Sequence, residues 1–169
     1  MITVWLLLLL VLANGAPVVA ARLLQHRFSA PVDGGLRLWD GQPLLGRSKT
    51  WRGLVAGLLS CTVFAPVMGL SVSFGVVFAA LALGGDLLSS FIKRRMALEP
   101  SARASGLDQL PESVLPVAYA WWQLDFPLWQ AIGVVLLFVT ANMVFSPLLY
   151  QLGIRSRTLT TEVPAPGEV

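Results

Sequence analysis

Three long apolar stretches, separated by basic segments, dominate the sequence. The apolar stretches cover residues 1–21, 54–92 and 112–150. Over the 169 residues 56% are hydrophobic and only 12% are charged, and the mean hydropathy is +0.73. This composition is too apolar for a soluble domain of that length. The sequence therefore predicts an integral membrane protein, whose scattered polar segments are too small to fold as a separate soluble domain.

The second and third apolar stretches are each too long for one membrane-spanning helix. A single helix over 54–92 would be about 60 Å long, roughly twice the hydrocarbon thickness of a bilayer. Each stretch must turn back, and Gly69-Leu70-Ser71 and Asp125-Phe126-Pro127 stand near the two midpoints. We therefore predict an all-α fold, a single membrane domain with five transmembrane helices. The predicted spans are residues 2–21, 54–70, 72–92, 108–124 and 128–150.

The basic residues decide the orientation of these spans. Alternating spans place all 12 Lys and Arg residues on one side, in loops 22–53 and 93–107 and in the tail 151–169. Basic residues favour the cytoplasmic side, so the N-terminus is expected outside the cell membrane and the C-terminus in the cytoplasm. The same rule explains the basic charge without nucleic acid as a partner. The fourth span is the weakest, because its apolar part, 112–124, is short.

Asp86 lies within the third predicted span, where an unpaired carboxylate is costly. At 100° per residue, one helix face carries Asp86 together with Ser89, Ser90 and Lys93. One interpretation is an internal ion pair of Asp86 with Lys93. The other is a cation site at Asp86, with Lys93 as a phosphate-binding residue and Ser89 and Ser90 as further candidate contacts to CTP or phosphate. Arg95 lies opposite Asp86 on this helix, so we expect it only to orient the chain.

A second carboxylate, Asp108, precedes the fourth predicted span at the same membrane depth. Pro111 suits the first turn of a helix, which puts Asp108 just before that helix, a common position for acidic residues. Because Asp86 and Asp108 flank one loop, they can instead converge on a hard cation, Mg²⁺ rather than zinc. Lys93 and Arg94 can then hold the substrate phosphates that Mg²⁺ binds. A basic cluster at a membrane interface is also typical of a topology signal alone.

Two cations and a hydroxyl stand directly before the second span, at Lys49, Thr50 and Arg52. These residues either orient the chain or form a nucleotide-binding loop, with Lys49 and Arg52 on phosphates and Thr50 donating a hydrogen bond. Residues 41–48 come close to a P-loop pattern. A P-loop must follow a buried parallel strand and open a helix, and this sequence predicts no such sheet, so we reject that interpretation.

Asn14 and Pro17 interrupt the first span near its cytoplasmic end. A proline kink frees backbone carbonyl groups, which can line a polar site together with Asn14. Simple bending of the helix is the alternative and requires no functional role. Asn14 is therefore a candidate contact to a nucleotide or phosphate.

Several of these segments together resemble the CDP-archaeol synthase family, which is related to the phosphatidate cytidylyltransferases. The resemblance extends from the first span to the start of the fourth. Its specific blocks are Lys49-Thr50-Trp51-Arg52-Gly53 and the segment from Gly85-Asp86 to Lys93-Arg94-Arg95. The other matching blocks are Ala13-Asn14-Gly15-Ala16-Pro17, Pro31-Val32-Asp33, Trp39-Asp40-Gly41, Gly46-Arg47-Ser48 and Leu107-Asp108-Gln109-Leu110.

The resemblance implies a five-span enzyme that transfers CMP from CTP to a lipid phosphate, with Mg²⁺ and release of pyrophosphate. Carried over by motif, it implies that Asp86 and Asp108 are Mg²⁺ ligands. It also implies that Lys93 and Arg94 contact phosphate and that Lys49, Thr50 and Arg52 form part of the CTP site. Asp86, Lys93 and Asp108 are thus the expected catalytic residues. One departure is Pro111, where the family often has a second acidic residue, which here comes one position later as Glu112.

The residues and the resemblance agree on one chemical hypothesis. A lipid phosphate oxygen is already an anionic nucleophile at neutral pH, so no Ser, Cys or His attacker is needed. The protein must instead relieve the repulsion between two polyanions, CTP and the lipid phosphate. The rival interpretation is a non-enzymatic membrane subunit or small transporter with a functional Asp86. A carrier would more readily show paired repeats, and Gly85-Asp86 has no counterpart in the second hairpin.

Overall fold

The computed structural model describes residues 1–97 and 109–151, with side chains as far as residue 144. Within these residues the chain is all-α, as predicted. It forms five helices: Ile2–Leu24 (α1), Trp51–Val67 (α2), Val72–Arg95 (α3), Gln109–Leu124 (α4) and Leu128–Gln151 (α5). The described part of the chain contains two isolated β-bridges but no strand, so nothing in it precedes residues 41–48 as a P-loop would require.

The two turns predicted within the long apolar stretches are confirmed. Between α2 and α3, Gly69 has a φ of +77°, which glycine adopts at little cost because it lacks Cβ. The Ser71 hydroxyl then caps α3 by accepting the backbone N–H of Phe74 at 3.0 Å. Between α4 and α5 the chain turns at Asp125, whose φ is +46°, and α5 begins directly after Pro127.

Three helices extend beyond the apolar residues that predicted them. The helix α1 continues to Leu24, α2 begins at Trp51 and α3 continues to Arg95. Hydropathy marks only the part of a helix that lies in lipid, whereas backbone hydrogen bonding continues into the polar interface. Lys93 and Arg94 therefore lie with Arg95 on the last turn of α3, where cations complement the helix dipole, rather than in a loop.

The first helix forms the centre of the bundle. It contacts all four other helices, and each helix also contacts the next one along the chain. The buried face of α1 follows helical spacing and consists of Leu6, Leu9, Leu10 and Ala13. At Gly57 of α2, an added Cβ would lie 2.7 Å from the carbonyl oxygen of Ala13. Glycine therefore lets the backbones of α1 and α2 approach closely, as in other membrane helix pairs.

The outer surface of the bundle is apolar. Leu59 and Val63 on α2 and Leu136 and Leu137 on α5 each have more than half of their surface exposed. Lipid accommodates such side chains, so the protein is a membrane protein. Of the described helices, α1 and α3 are long and apolar enough to cross a bilayer, and α2 and residues 128–144 of α5 form shorter apolar helices.

Candidate active site

Residues 25–50 connect α1 to α2 as a folded segment, here named the α1–α2 loop. Its two ends pair in an antiparallel manner close to α2. The backbone N–H of Val32 donates to the carbonyl oxygen of Lys49 at 2.8 Å, and that of Trp51 donates to the carbonyl oxygen of Ala30 at 3.1 Å. This pairing fixes the backbone of Lys49 directly before α2.

The carboxylate of Asp33 joins two distant parts of this loop. It accepts the backbone N–H of Gly35 at 3.0 Å and those of Leu45 and Gly46 at 2.9 Å. Burial raises the pKa of Asp33, but the three hydrogen bonds outweigh that effect and lower the pKa below its ordinary value of 3.8. Asp33 is therefore ionised at neutral pH, and the loop keeps its shape through it.

Arg95 fastens the tip of the α1–α2 loop to the last turn of α3. Its guanidinium forms an ion pair with Asp40 at 2.5 Å and donates to the carbonyl oxygens of Pro43 at 2.7 Å and Gln42 at 3.5 Å. The guanidinium also lies 5.3 Å from the centre of the Phe91 ring. Burial raises the pKa of Asp40. The hydrogen bonds from the backbone N–H of Gln42 and from the Arg95 guanidinium outweigh that effect, so the pKa lies below its ordinary value of 3.8. The expectation that Arg95 only orients the chain is therefore wrong.

Lys49 and Asp86 meet in the structure, although they lie in different blocks of the sequence. The Nζ atom of Lys49 donates to both carboxylate oxygens of Asp86, each at 2.6 Å. The pair is partly accessible, since the side chains are 20% and 27% exposed. Among the described residues Asp86 is thus paired with Lys49, and not with Lys93 as one interpretation of the sequence proposed.

The other polar residues on this part of α3 are buried beside Asp86. The hydroxyls of Ser89 and Ser90 donate to the backbone oxygen of Asp86 at 3.0 and 2.9 Å. Lys93 and Arg94 are only 8% and 4% exposed, and each has an interaction partner, as buried cations require. Ser89 and Ser90 thus contact Asp86, as the helical spacing predicted, while Lys93 and Arg94 lie about two turns farther along α3. Their contacts with a nucleotide or phosphate stay predictions.

Arg52 and Thr50 are placed at the junction of α1 and α2. The NH1 atom of Arg52 donates to the carbonyl oxygens of Gln25 and, at 2.8 Å, Arg27. Carbonyl groups at a helix end lack helical partners, so Arg52 fastens the start of α2 to the end of α1. Thr50 is the residue that caps α2, but its hydroxyl makes no capping hydrogen bond. Their part in a CTP site also stays a prediction.

Asn14 and Pro17 leave α1 unbroken, since the helix continues from Ile2 to Leu24 through both. The side-chain amide of Asn14 donates to the carbonyl oxygen of Leu10 at 3.0 Å, one turn earlier on the same helix. The proline therefore does not interrupt α1, and a contact of Asn14 with substrate stays a prediction.

The first turn of α4 packs against α3 directly beside Asp86. Gly85 is the point of contact, because a Cβ added there would lie 2.6 Å from the backbone nitrogen of Glu112 and closer still to the carbonyl oxygen of Pro111. Glu112 is 8% exposed and has an interaction partner. Glu112, the acidic residue that comes one position later than in the family pattern, thus belongs to the residue pair that contacts Gly85. Asp108, the second predicted metal ligand, lies outside the described residues.

The donors near Asp86 fit a hard cation that arrives with phosphate. In the structure the Lys49 ammonium, itself a cation, binds both carboxylate oxygens of Asp86. No group of three His, Cys, Asp or Glu side chains that could hold a metal occurs within the described parts of the chain. Mg²⁺ commonly takes only one or two carboxylates and completes its coordination with water and substrate phosphates. Asp86 is thus one carboxylate that such a site can use, and Mg²⁺ as the cofactor stays a prediction.

Three residues that build the site were absent from the predicted set, namely Asp33, Asp40 and Arg95. Asp33-Gly34 and Asp40-Gly41 are typical of turns in which a carboxylate accepts a nearby backbone N–H, so the sequence did contain a signal for the two aspartates. Arg95 had no such signal, because its partners lie more than fifty residues away.

Comparison with known proteins gives matches over most of the chain. A family model described as CarS-like, CDP-archaeol synthase, matches residues 1–158. The chain is 44% identical over 104 residues to a CDP-archaeol synthase of Hyperthermus butylicus, in an alignment that covers 58% of this chain and 59% of that relative. It is 37% identical over 128 residues to a CDP-archaeol synthase of Pyrococcus furiosus, which covers 69% of this chain and 72% of the relative.

One solved structure is also similar. It is described as that of an intramembrane enzyme for archaeal membrane lipids biosynthesis, and the two chains are 34% identical with a TM-score of 0.64. The match covers 82% of this chain and 90% of the solved one. The likeness therefore extends through the helical bundle.

Proposed function

The chain belongs to the CDP-archaeol synthase family, and from this membership we propose that it is a membrane cytidylyltransferase. It transfers CMP from CTP to a lipid phosphate, giving a CDP-archaeol-like or CDP-diacylglycerol-like product and pyrophosphate. The observation that carries the proposal is the contact of Lys49 with Asp86. This contact joins the two specific family blocks in one partly accessible polar site at the end of an apolar bundle.

The proposal includes an orientation in the cell membrane. All five helices span the bilayer, with the N-terminus outside and the active site facing the cytoplasm, where CTP is available. The α1–α2 loop and the last turn of α3 lie at the same end of the bundle, because Arg95 contacts Asp40. The basic residues of both segments therefore support one cytoplasmic surface. The lipid substrate reaches this surface from within the bilayer.

The bond changes need no nucleophilic side chain. An anionic oxygen of the lipid phosphate attacks the α-phosphorus of CTP, and the bond from that phosphorus to the bridging oxygen of the β-phosphate breaks. Pyrophosphate leaves with the electron pair, and no proton has to move. As in other transfers at phosphorus, catalysis then depends on positioning and on stabilisation of charge.

The cationic residues of the site counter the repulsion between the two substrates. In the proposal, Lys49 moves from Asp86 to a phosphate of CTP, which leaves the carboxylate of Asp86 available. Lys93 and Arg94, on the last turn of α3, hold the remaining phosphate charge. Asp86 and Asp108 would hold Mg²⁺, which would supply further charge neutralisation and alignment. The cofactor is thus Mg²⁺, and CTP and a lipid phosphate are the substrates.

Residues around this centre complete the CTP site. The Thr50 hydroxyl makes no capping bond with α2 and can donate to a phosphate. Arg52 contributes its charge from a position fixed by the end of α1. Ser89 and Ser90 contribute by donating to a phosphate, which requires their hydroxyls to turn away from the backbone oxygen of Asp86, to which they donate in the structure. Asn14 lies on α1, farther from the α1–α2 loop. It contributes only if its side-chain amide gives up its hydrogen bond to the carbonyl oxygen of Leu10.

Purified protein in detergent tests this function directly. CTP labelled in its cytidine is incubated with a lipid phosphate that carries ether-linked or ester-linked chains. We expect label in the lipid fraction, one pyrophosphate released for each lipid labelled, loss of both with EDTA and recovery with Mg²⁺. Absence of labelled lipid with every lipid phosphate contradicts the transfer, and undiminished turnover in EDTA contradicts the metal requirement.

A further inference from the structure

We propose that Arg95 is a positioning residue of the active site. By holding the tip of the α1–α2 loop on the end of α3, it sets the place of Lys49 relative to Asp86. The inference rests on the function proposed above, because the place of Lys49 affects turnover only if Lys49 binds substrate.

The α1–α2 loop is attached to α3 at two positions. At one of them Lys49 binds both oxygens of Asp86, and at the other Arg95 binds Asp40 and the carbonyl oxygen of Pro43. At 1.5 Å per residue, the two attachment points on α3 are about 14 Å apart along the helix axis. A segment held at two points this far apart can neither rotate nor slide on the helix while both contacts persist.

Hydrogen bonds connect the two attachments through the loop. Nearest the tip, the backbone of residues 36–38 pairs with that of residues 42–44. Next, the Asp33 carboxylate accepts the backbone N–H groups of Leu45 and Gly46. Last, the Val32 N–H donates to the Lys49 carbonyl oxygen. Each bond in this series is between 2.8 and 3.0 Å long. A displacement of the loop tip is therefore transmitted to the backbone of Lys49.

Arginine suits this position better than any other residue. Its planar guanidinium reaches Asp40 and the Pro43 carbonyl oxygen from two different nitrogens, while its face lies near the ring of Phe91. Lysine keeps the charge but not this fork. The conservative replacement Arg95→Lys should therefore retain only part of the effect.

Steady-state kinetics separate positioning from general structure. We expect Arg95→Ala to raise the KM for CTP about tenfold, a loss of about 1.4 kcal/mol, because a displaced Lys49 ammonium contacts the phosphates of CTP less well. The KM for the lipid phosphate should stay within about twofold, and Arg95→Lys should be intermediate. The double variant Asp40→Arg/Arg95→Asp exchanges the two charges of the ion pair. Its KM for CTP should lie below that of either single variant. A role in stability alone would lower only the active fraction, and thus the apparent kcat.

Arg27→Ala is the matched control, because Arg27 is an exposed arginine at the start of the same loop and, among the described residues, only its backbone N–H and carbonyl oxygen form hydrogen bonds. An unchanged KM for CTP in Arg95→Ala overturns the inference. A charge exchange that performs no better than the single variants overturns it as well.

Limited digestion with trypsin gives a readout that needs no activity. Cleavage after Arg37 and Arg47, followed by mass spectrometry of the detergent-solubilised protein, should be faster in Arg95→Ala than in wild type and unchanged in Arg27→Ala. If the wild-type protein turns over no CTP, the proposed function fails, but the cleavage rates still decide whether Arg95 holds the loop. Equal cleavage rates in Arg95→Ala and wild type contradict the inference.

Discussion

The Lys49 ammonium lies 2.6 Å from both carboxylate oxygens of Asp86, so one side chain engages both of the oxygens that a metal would use. The two charges balance each other before any substrate is bound, which explains how a carboxylate is tolerated near the end of an apolar helix. Lysine and a divalent cation therefore compete for Asp86 in the proposed reaction.

Removal of this competitor should strengthen metal binding. In Lys49→Met, without CTP, we expect Mn²⁺ to bind with a Kd about fivefold lower, because a partly exposed ion pair contributes up to about 1 kcal/mol. The free Mn²⁺ signal in electron paramagnetic resonance measures this binding. Adding Asp86→Asn to Lys49→Met should abolish the gain. Mn²⁺ binding that is equal to or weaker than that of wild type would show that the two cations do not compete.

Loss of the Asp86 charge should stop the reaction without unfolding the protein. We expect Asp86→Asn to lower the rate of CDP-lipid formation by at least about 100-fold, as is usual when a charge-stabilising group is lost. Asp125→Asn is the matched control, since Asp125 is exposed in the α4–α5 turn and Asn tolerates its φ of +46°. Full activity in Asp86→Asn, or an equal loss in both variants, would remove Asp86 from the site.

The contact of α3 with α4 should be sensitive to a single methyl group. Gly85→Ala places a Cβ 2.6 Å from the backbone nitrogen of Glu112, so α4 must shift, and we expect a cost of about 1–3 kcal/mol. Gly84→Ala, the neighbouring control, has no atom within 4 Å of its new Cβ and should leave the protein equally stable or slightly more stable. Thermal unfolding in detergent measures both. Equal unfolding temperatures would mean that α4 is not held at Gly85.

The α1–α2 loop should loosen in acid. Because the pKa of Asp33 is lower in the folded loop than its ordinary value of 3.8, its stabilisation is fully present above pH 3.8 and is lost as the pH falls through the folded pKa. Amide hydrogen exchange at Leu45 and Gly46, corrected for the intrinsic effect of pH, reports this loss. Asp33→Asn should expose both amides already at neutral pH. Protection that is the same in wild type and Asp33→Asn would contradict the role of the carboxylate.

Local patterns in the sequence were sufficient to predict the helices. The lengths of the apolar stretches required a turn near Gly69 and another near Asp125, and both turns are present. Helical spacing placed Ser89, Ser90 and Lys93 near Asp86, because residues three, four and seven apart share a helix face regardless of what packs against it.

Long-range contacts could not be predicted in this way. Lys49 and Asp86 were each recognised as functional candidates, but the one internal partner that the sequence offered for Asp86 was Lys93, because it lies on the same helix. The partner is instead set by the folded loop, whose ends pair through Val32 and Lys49. Arg95 was underestimated for the same reason. Its angular position on α3 was read correctly, but nothing local indicates that a loop lies on that side.

The absence of a side chain at Gly85 has a consequence for how the molecule moves. Since the backbones of α3 and α4 touch beside Asp86, neither helix can tilt there without carrying the other through a viscous bilayer. The α1–α2 loop is held mainly by individual hydrogen bonds and ion pairs, and local opening of such contacts takes microseconds to seconds. A change in the α1–α2 loop can therefore take place in the aqueous phase, without any movement of α3 against α4 in the bilayer.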